Sequence, residues 1–97
     1  MIKVLVSKEK IEIKGHSGYD LIGKDIVCSA VSSIVTTTIN GILSINSKML
    51  TYEYANDTLT IMYNENDNIT KKLIQNMLDL LNELMKQYPK NINIKEI

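Results

Sequence analysis

The sequence predicts an α/β (α+β) fold: a two-layer sandwich in which two helices pack on a mostly antiparallel sheet. Two observations support this prediction. Apolar and polar residues alternate in five short segments, as in half-buried strands, and four of these segments form two pairs joined by polar turns. Two longer segments repeat their apolar residues every three to four positions, as one face of a helix does. The order of elements is ββαββαβ, and each helix needs a sheet face on which to bury its apolar side.

Length and charge limit the possible classes of protein. The chain has 97 residues, and we interpret residues 1–97 as a single domain. Eleven basic and eleven acidic residues give zero net charge, which argues against direct nucleic-acid binding and membrane-surface binding through bulk charge. We find no apolar run as long as a membrane span and no signal-peptide layout, so we expect a cytoplasmic protein without membrane contact. The core of so short a chain is modest, and a homodimer would add burial.

The N-terminal segment predicts a hairpin followed by a loop. Two alternating apolar sets flank the polar segment 8–10; they are Ile2, Val4 and Val6, and then Ile11 and Ile13. Three of the four glycines follow within nine residues, at Gly15, Gly18 and Gly23. A glycine-dense segment without periodicity is typical of a loop with unusual backbone angles.

The first helix is predicted over residues 26–46, although one property of this segment favours a strand. The run from Ile34 to Ile39 is β-branched, and Asn40-Gly41 resembles a hairpin turn. Strict alternation fails, however, and Asp25 occupies the position of a helix N-cap. The apolar face steps by three and four through Val27, Val31, Ile34, Val35, Thr38, Ile42 and Ile45. We therefore predict a helix that is stabilised mainly by packing.

The second half of the chain predicts a hairpin, a helix and a final strand. The hairpin strands are marked by Leu50, Tyr52, Tyr54 and by Leu59, Ile61, Tyr63, with the turn at Asn56-Asp57. Asp67 and Asn68 are cap candidates for a helix with an apolar face of Leu73, Met77, Leu80, Leu81, Leu84 and Tyr88. Pro89 ends this helix, and Ile92 and Ile94 mark the last strand. We expect the hairpin tyrosines to pack on the sheet. We expect the leucines of the helix to face the core, together with Met49, Met62, Met77 and Met85. Any part of the apolar helix face that is wider than the core would serve a dimer contact.

The counts of histidine and cysteine restrict the chemistry. The chain holds one histidine, His16, and one cysteine, Cys28. This excludes a zinc site built from Cys and His within one chain, and it excludes an internal disulfide. We expect no metal and no cofactor.

These two residues flank the glycine-dense segment. His16 follows the second predicted strand, and Cys28 lies in the first turn of the first predicted helix, three residues after Asp25. The positive end of a helix dipole lowers the pKa of a cysteine thiol, and N–H groups there can face a developing oxyanion. A nucleophile and its base are one interpretation. A buried structural cysteine and an unrelated histidine are the other, because spatial proximity is not visible in the sequence.

The segment around both residues resembles the signature of a known family. Gly15-His16, six further residues and then Gly23-Lys24-Asp25-Ile26-Val27-Cys28 are similar to the motif of the ribosomal-processing cysteine protease family Prp. The end of the second helix at Tyr88-Pro89, followed by an Ile-rich strand, is similar at the level of pattern. Ser17 and Ser29 stand where alanine is common in the family, and both side chains are small.

The resemblance implies a dimeric bacterial endopeptidase. Such enzymes remove a short N-terminal extension from a large-subunit ribosomal protein, cleaving after aromatic residues, and so support ribosome assembly. Cys28 would be the nucleophile and His16 the general base, while Asp25 would cap the helix, orient His16, or both. The substrate loop would comprise Gly15, Ser17, Gly18, Tyr19 and Gly23.

Two other functions remain as alternatives at this stage. One is a non-catalytic ribosome- or protein-binding module of the same fold, for which Cys28 would be inert and buried. The other is a redox-sensing thiol, which would require a partner molecule because the chain holds no resolving cysteine.

Overall fold

The computed structural model describes residues 1–15 and 26–97. The elements in this part of the chain follow the predicted ββαββαβ order. They are β1 (Ile2–Ser7), β2 (Lys10–Lys14), α1 (Ile26–Ile45), β3 (Leu50–Ala55), β4 (Thr58–Tyr63), α2 (Asn68–Gln87) and β5 (Ile92–Glu96). The ambiguous segment is therefore a helix, in spite of its β-branched run.

The described strands form one sheet in the order β3-β4-β2-β1-β5. The pairs β3–β4, β4–β2 and β2–β1 are antiparallel, and the pair β1–β5 is parallel. The parallel pair aligns Ile2 with Ile92, and Ile2 N–H donates to the Asn91 carbonyl at 2.8 Å. The predicted mostly antiparallel sheet is confirmed.

One face of the sheet carries the core. Residues directly opposite each other in neighbouring strands project to the same side, and Val4, Ile13 and Leu59 therefore share the face on which the helices pack. The buried apolar side chains on this face and on the helices form one cluster. The sheet contributes Ile2, Val4, Ile11, Ile13, Leu50, Ile61 and Ile92 to this cluster. Helix α1 contributes Val27, Cys28, Val31, Val35, Ile39 and Ile42, and α2 contributes Ile74, Met77 and Leu81.

The turn between β3 and β4 has the backbone that a tight hairpin needs. Asn56 and Asp57 have φ values of 54° and 60°, and the register pairs Ala55 with Thr58 on either side of them. Two central residues with positive φ define a type I′ turn, whose twist matches that of the flanking strands. The turn predicted at Asn56-Asp57 is confirmed.

The start of α2 is capped as the sequence predicts. The Asp67 carboxylate accepts hydrogen bonds from Thr70 N–H at 3.0 Å and from the Thr70 hydroxyl at 2.7 Å. These two bonds lower the pKa of Asp67 below its ordinary value, and the bond from the Thr70 hydroxyl has the larger effect. The helix ends at a C-cap on Tyr88, directly before Pro89.

Five apolar or aromatic residues expected to be covered are exposed instead. Ile45 is the last residue of α1, and Leu80 lies beside the buried stripe of α2. Met62 pairs with Thr51 and Lys10 on the sheet face opposite the core. Tyr52 and Tyr54 project to the helix side of β3 but are 57 % and 54 % exposed, whereas Leu50 on the same strand is buried. The helix cover over β3 therefore ends beyond Leu50.

The hydropathy of α1 corrects another expectation. This helix is long and apolar enough to cross a membrane, with a mean hydropathy of 1.7 over an 18-residue window. It passes this test because Ser, Thr and Asn, rather than charged residues, occupy its polar positions. Six of its side chains lie in the core, and a core helix passes the same test of length and composition.

Candidate active site

Gly15 fixes the path of the chain where β2 ends. Its φ is +79°, and a Cβ added there would lie 2.8 Å from the Met1 carbonyl oxygen. Its N–H donates to the Asp57 carbonyl at 3.4 Å. Both constraints favour glycine at this position, because other residues rarely adopt this backbone conformation and their Cβ would overlap Met1. Gly15 immediately precedes His16 in the chain.

Cys28 occupies the first turn of α1. It is the third residue of the helix and is buried, with 8 % of its surface exposed. The first N–H groups of a helix have no partner within the helix, and together they form its positive end. No acidic side chain lies within the first turn of α1. The start of α1 therefore offers N–H donors to a neighbouring oxyanion.

A pocket shows that the beginning of α1 and the end of β2 lie at the same end of the sheet. It has a volume of about 90 Å³, and its sheet side is formed by Ile13, Tyr54 and Leu59. Its helix side is formed by Val31, Ser32, Val35 and Thr36. Ile13 lies two residues before Gly15, and Cys28 lies one turn before Ser32. The fold therefore brings Gly15 and the turn that carries Cys28 to one edge of the molecule.

The remaining predicted site residues lie outside the described residues. These are His16, Ser17, Gly18, Tyr19, Gly23 and Asp25. Their predicted roles as base, helix cap and substrate loop stay predictions. Among the residues that the structure describes, no group of His, Cys, Asp and Glu could hold a metal ion.

A larger pocket, of about 290 Å³, lies at the opposite end of the sheet. Glu9, Lys48 and Tyr63 are among its lining residues. Burial raises the pKa of Tyr63, and the negative charges of Glu65 and Glu9 raise it further. This pocket is far from Cys28 along α1, so it does not belong to the predicted site.

The sequence predicts an apolar substrate groove beside residues 17–24, but it identifies none of the residues that line the pocket beside α1 as substrate contacts and assigns Tyr54 to packing on the sheet. The available signal was the pair Ser32 and Thr36, two polar side chains one helical turn apart and aligned with Cys28. The strand residues of the pocket come from three separate strands, and only the fold brings them together.

The family assignment follows from comparison with known proteins. The family described as cysteine protease Prp matches residues 1–93. The chain belongs to the Prp family. It is a cysteine protease, as the motif around Cys28 suggested. No curated protein matches the chain significantly.

Solved structures share the fold over the whole chain. The essential ribosomal processing protease Prp from Staphylococcus aureus in complex with a substrate peptide is 22 % identical, with a TM-score of 0.88 and coverage of 100 % of both chains. The same protease with a covalently linked product peptide is 23 % identical, with the same TM-score and coverage. A Streptococcus mutans protein is 21 % identical with a TM-score of 0.77, and the match covers 99 % of this chain and 91 % of that one. These matches confirm the predicted two-helix, five-strand α+β fold.

Proposed function

We propose that this Prp-family protease removes the N-terminal extension of a bacterial large-subunit ribosomal protein, with Cys28 as nucleophile and His16 as general base. The observation that carries the proposal is the position of Cys28 in the first turn of α1, at the end of the sheet where Gly15 leads into His16. The Staphylococcus aureus protease of the same fold is described as a ribosomal processing enzyme with bound substrate and product peptides, which supports this substrate class.

The mechanism uses the beginning of α1. His16 takes the proton from the Cys28 thiol, and the thiolate attacks the scissile carbonyl carbon. N–H groups in the first turn of α1 donate to the oxyanion that forms. His16 then returns its proton to the leaving amine, and a water molecule hydrolyses the thioester to release the second product and restore the thiol.

The other predicted residues take supporting roles in this proposal. Asp25 caps α1, orients His16, or does both, and residues 17–24 contact the peptide together with Gly15. No metal or cofactor takes part. We place the reaction in the cytoplasm and in a homodimer, and the large apolar residues exposed on the helices, such as Ile45 and Leu80, supply contact area for a second copy.

The non-catalytic module proposed as the alternative is not favoured. Burial of Cys28 is the observation that agrees with it, but membership of a cysteine protease family argues for an active thiol. A redox-sensing thiol gains no support from the described residues.

A cleavage assay tests the proposal. The substrate is a synthetic peptide that copies the N-terminal extension of a large-subunit ribosomal protein precursor. We expect Cys28→Ala and His16→Ala each to lower kcat by at least about 10³-fold, because nucleophile and base act as one unit. Ser29→Ala is the matched control, since Ser29 follows Cys28, is exposed and should leave kcat within about threefold. Normal cleavage by Cys28→Ala would remove the nucleophile, and normal cleavage by His16→Ala would remove the base.

A further inference from the structure

We propose that the substrate peptide binds as an additional strand beside β3 and inserts one large apolar side chain into the pocket between β3 and α1. This inference rests on the proposed function, because Cys28 marks the position of the scissile bond. It adds a backbone-pairing surface and a specificity pocket, both formed by residues outside the loop 17–24.

β3 presents an edge that can pair with an extended peptide. It is the outermost strand on its side of the described sheet, and its register with β4 is continuous from Leu50 to Ala55. Edge strands are commonly protected by Pro, by charged side chains, especially Lys, or by a bulge. β3 has no Pro, Lys or bulge, and its one charged residue, Glu53, projects to the sheet face opposite the pocket. An edge with so little protection is a template for strand addition.

The hairpin turn determines which backbone groups face this edge. In a hairpin with a two-residue turn, the residues next to the turn, here Ala55 and Thr58, form a hydrogen-bonded pair, and such pairs alternate along the ladder. Glu53 is therefore also bonded to β4, and the N–H and C=O of Tyr52, one position earlier, point away from β4. The edge thus offers a donor and an acceptor to an incoming strand at Tyr52.

The pocket lies on the side of β3 that Tyr52 and Tyr54 share. Tyr54, Leu59 and Ile13 form one wall, and α1 forms the other with two valines and with the polar residues Ser32 and Thr36. A peptide strand beside β3 directs alternate side chains to this side of the sheet. A volume of about 90 Å³ takes one apolar side chain, so the pocket selects a single residue of the peptide.

The distance to Cys28 fixes where that residue stands relative to the scissile bond. Val31 and Ser32 line the pocket, and Cys28 is three and four positions before them on the same helix face. One helical turn rises about 5.4 Å, and an extended peptide rises about 3.3 Å per residue. Val35 and Thr36, the farthest lining residues of α1, are seven and eight positions after Cys28, so the residue in the pocket lies within about four positions of the bond that is cleaved.

The first test uses the unchanged protein and modified peptides. A series of cleavable peptides is made, each with one N-methylated backbone amide at a different residue. The two residues that flank the scissile bond are left unmodified. Strand pairing with β3 requires N–H groups at alternate positions, so we expect kcat/KM to fall about tenfold at every second residue and to change by less than about threefold between them. A loss of kcat/KM without this alternation overturns the pairing with β3.

The second test fills the pocket. Thr36→Leu adds bulk at the pocket, and Thr37→Leu makes the same change on the next residue, which is exposed and does not line it. Both changes favour helix formation, so neither threatens folding. We expect Thr36→Leu to raise KM about tenfold or more for the parent peptide, and Thr37→Leu to leave KM unchanged. A peptide that carries alanine in place of the residue that enters the pocket should be cleaved equally by both variants.

The outcomes separate this inference from the proposed function. Equal KM values for Thr36→Leu and Thr37→Leu, with cleavage still dependent on Cys28, overturn the pocket and leave the protease mechanism standing. A change of oligomeric state in Thr36→Leu by light scattering, with KM unchanged, shows that a second copy occupies the groove and also overturns the inference. Cleavage that does not depend on Cys28 overturns the proposed function instead.

Discussion

Replacing Gly15 with alanine should destabilise the protein, and the cost can be worked out from the structure. A φ of +79° costs an L-residue about 1–2 kcal/mol relative to glycine. The new Cβ would also lie 2.8 Å from the Met1 carbonyl oxygen, and moving that carbonyl costs about 1 kcal/mol. Alanine reduces the entropy of the unfolded chain, which returns about 0.4–1 kcal/mol. We expect a net loss of about 2 kcal/mol and a melting temperature about 10 °C lower.

Thermal unfolding followed by circular dichroism measures this loss. Gly41→Ala is the matched control, because Gly41 lies inside α1 and a Cβ there would meet no atom within 4 Å apart from the neighbouring backbone of its own helix. That change should stabilise the protein by up to about 1 kcal/mol. Gly15→Asn separates the two costs, since asparagine tolerates a positive φ but still carries the Cβ that meets Met1. If Gly15→Ala melts within 1 °C of the wild type, roughly the error of the method, the strain argument is wrong.

Three further changes test the core, the cap and the surface. Met77→Ala should cost about 2–5 kcal/mol in urea unfolding because Met77 is fully buried, whereas Leu80→Ala, at an exposed position, should cost less than about 1 kcal/mol. Asp67→Ala should destabilise the protein above about pH 4, where the folded-state carboxylate accepts its bonds from Thr70. The pKa of Asp67 is lowered on folding, so the stability it adds is lost as pH falls through that pKa, and wild type and variant should converge in acid. Lys8→Ala should change stability by less than about 0.5 kcal/mol, because Lys8 is largely exposed and water and salt screen its 3.8 Å ion pair with Glu65. A larger loss would show that this ion pair is not screened.

Periodicity predicted the elements because each one buries a single face. The step of three and four in α1 outweighed the strand propensity of its β-branched residues, because the face that it defines buries six side chains in the core. The Thr38 hydroxyl also donates to the Ile34 carbonyl at 2.9 Å, within the helix. Periodicity could not predict how much of the sheet face the helices cover. Tyr52 and Tyr54 lie on the predicted face, but the helices leave 57 % and 54 % of their surfaces exposed.

The predicted site divides in the same way. The sequence places Cys28 at a helix start and Gly15 at a strand end, because capping signals and alternation are local. The pocket beside Cys28 combines Ile13, Tyr54 and Leu59 with α1, and no local pattern links residues from three strands. It could be found only after the strand order was known.

The parallel pairing of β1 with β5 has a consequence for synthesis on the ribosome. β1 is synthesised long before β5, so Ile2 must wait for Ile92 before β1 has both of its neighbours in the sheet. Such distant pairing raises the contact order and slows folding, since a long loop must close before the contact is formed. The antiparallel neighbour of β1, β2, follows it directly in the chain, so we expect a free chain truncated before residue 92 to hold a four-stranded sheet with one side of β1 uncovered.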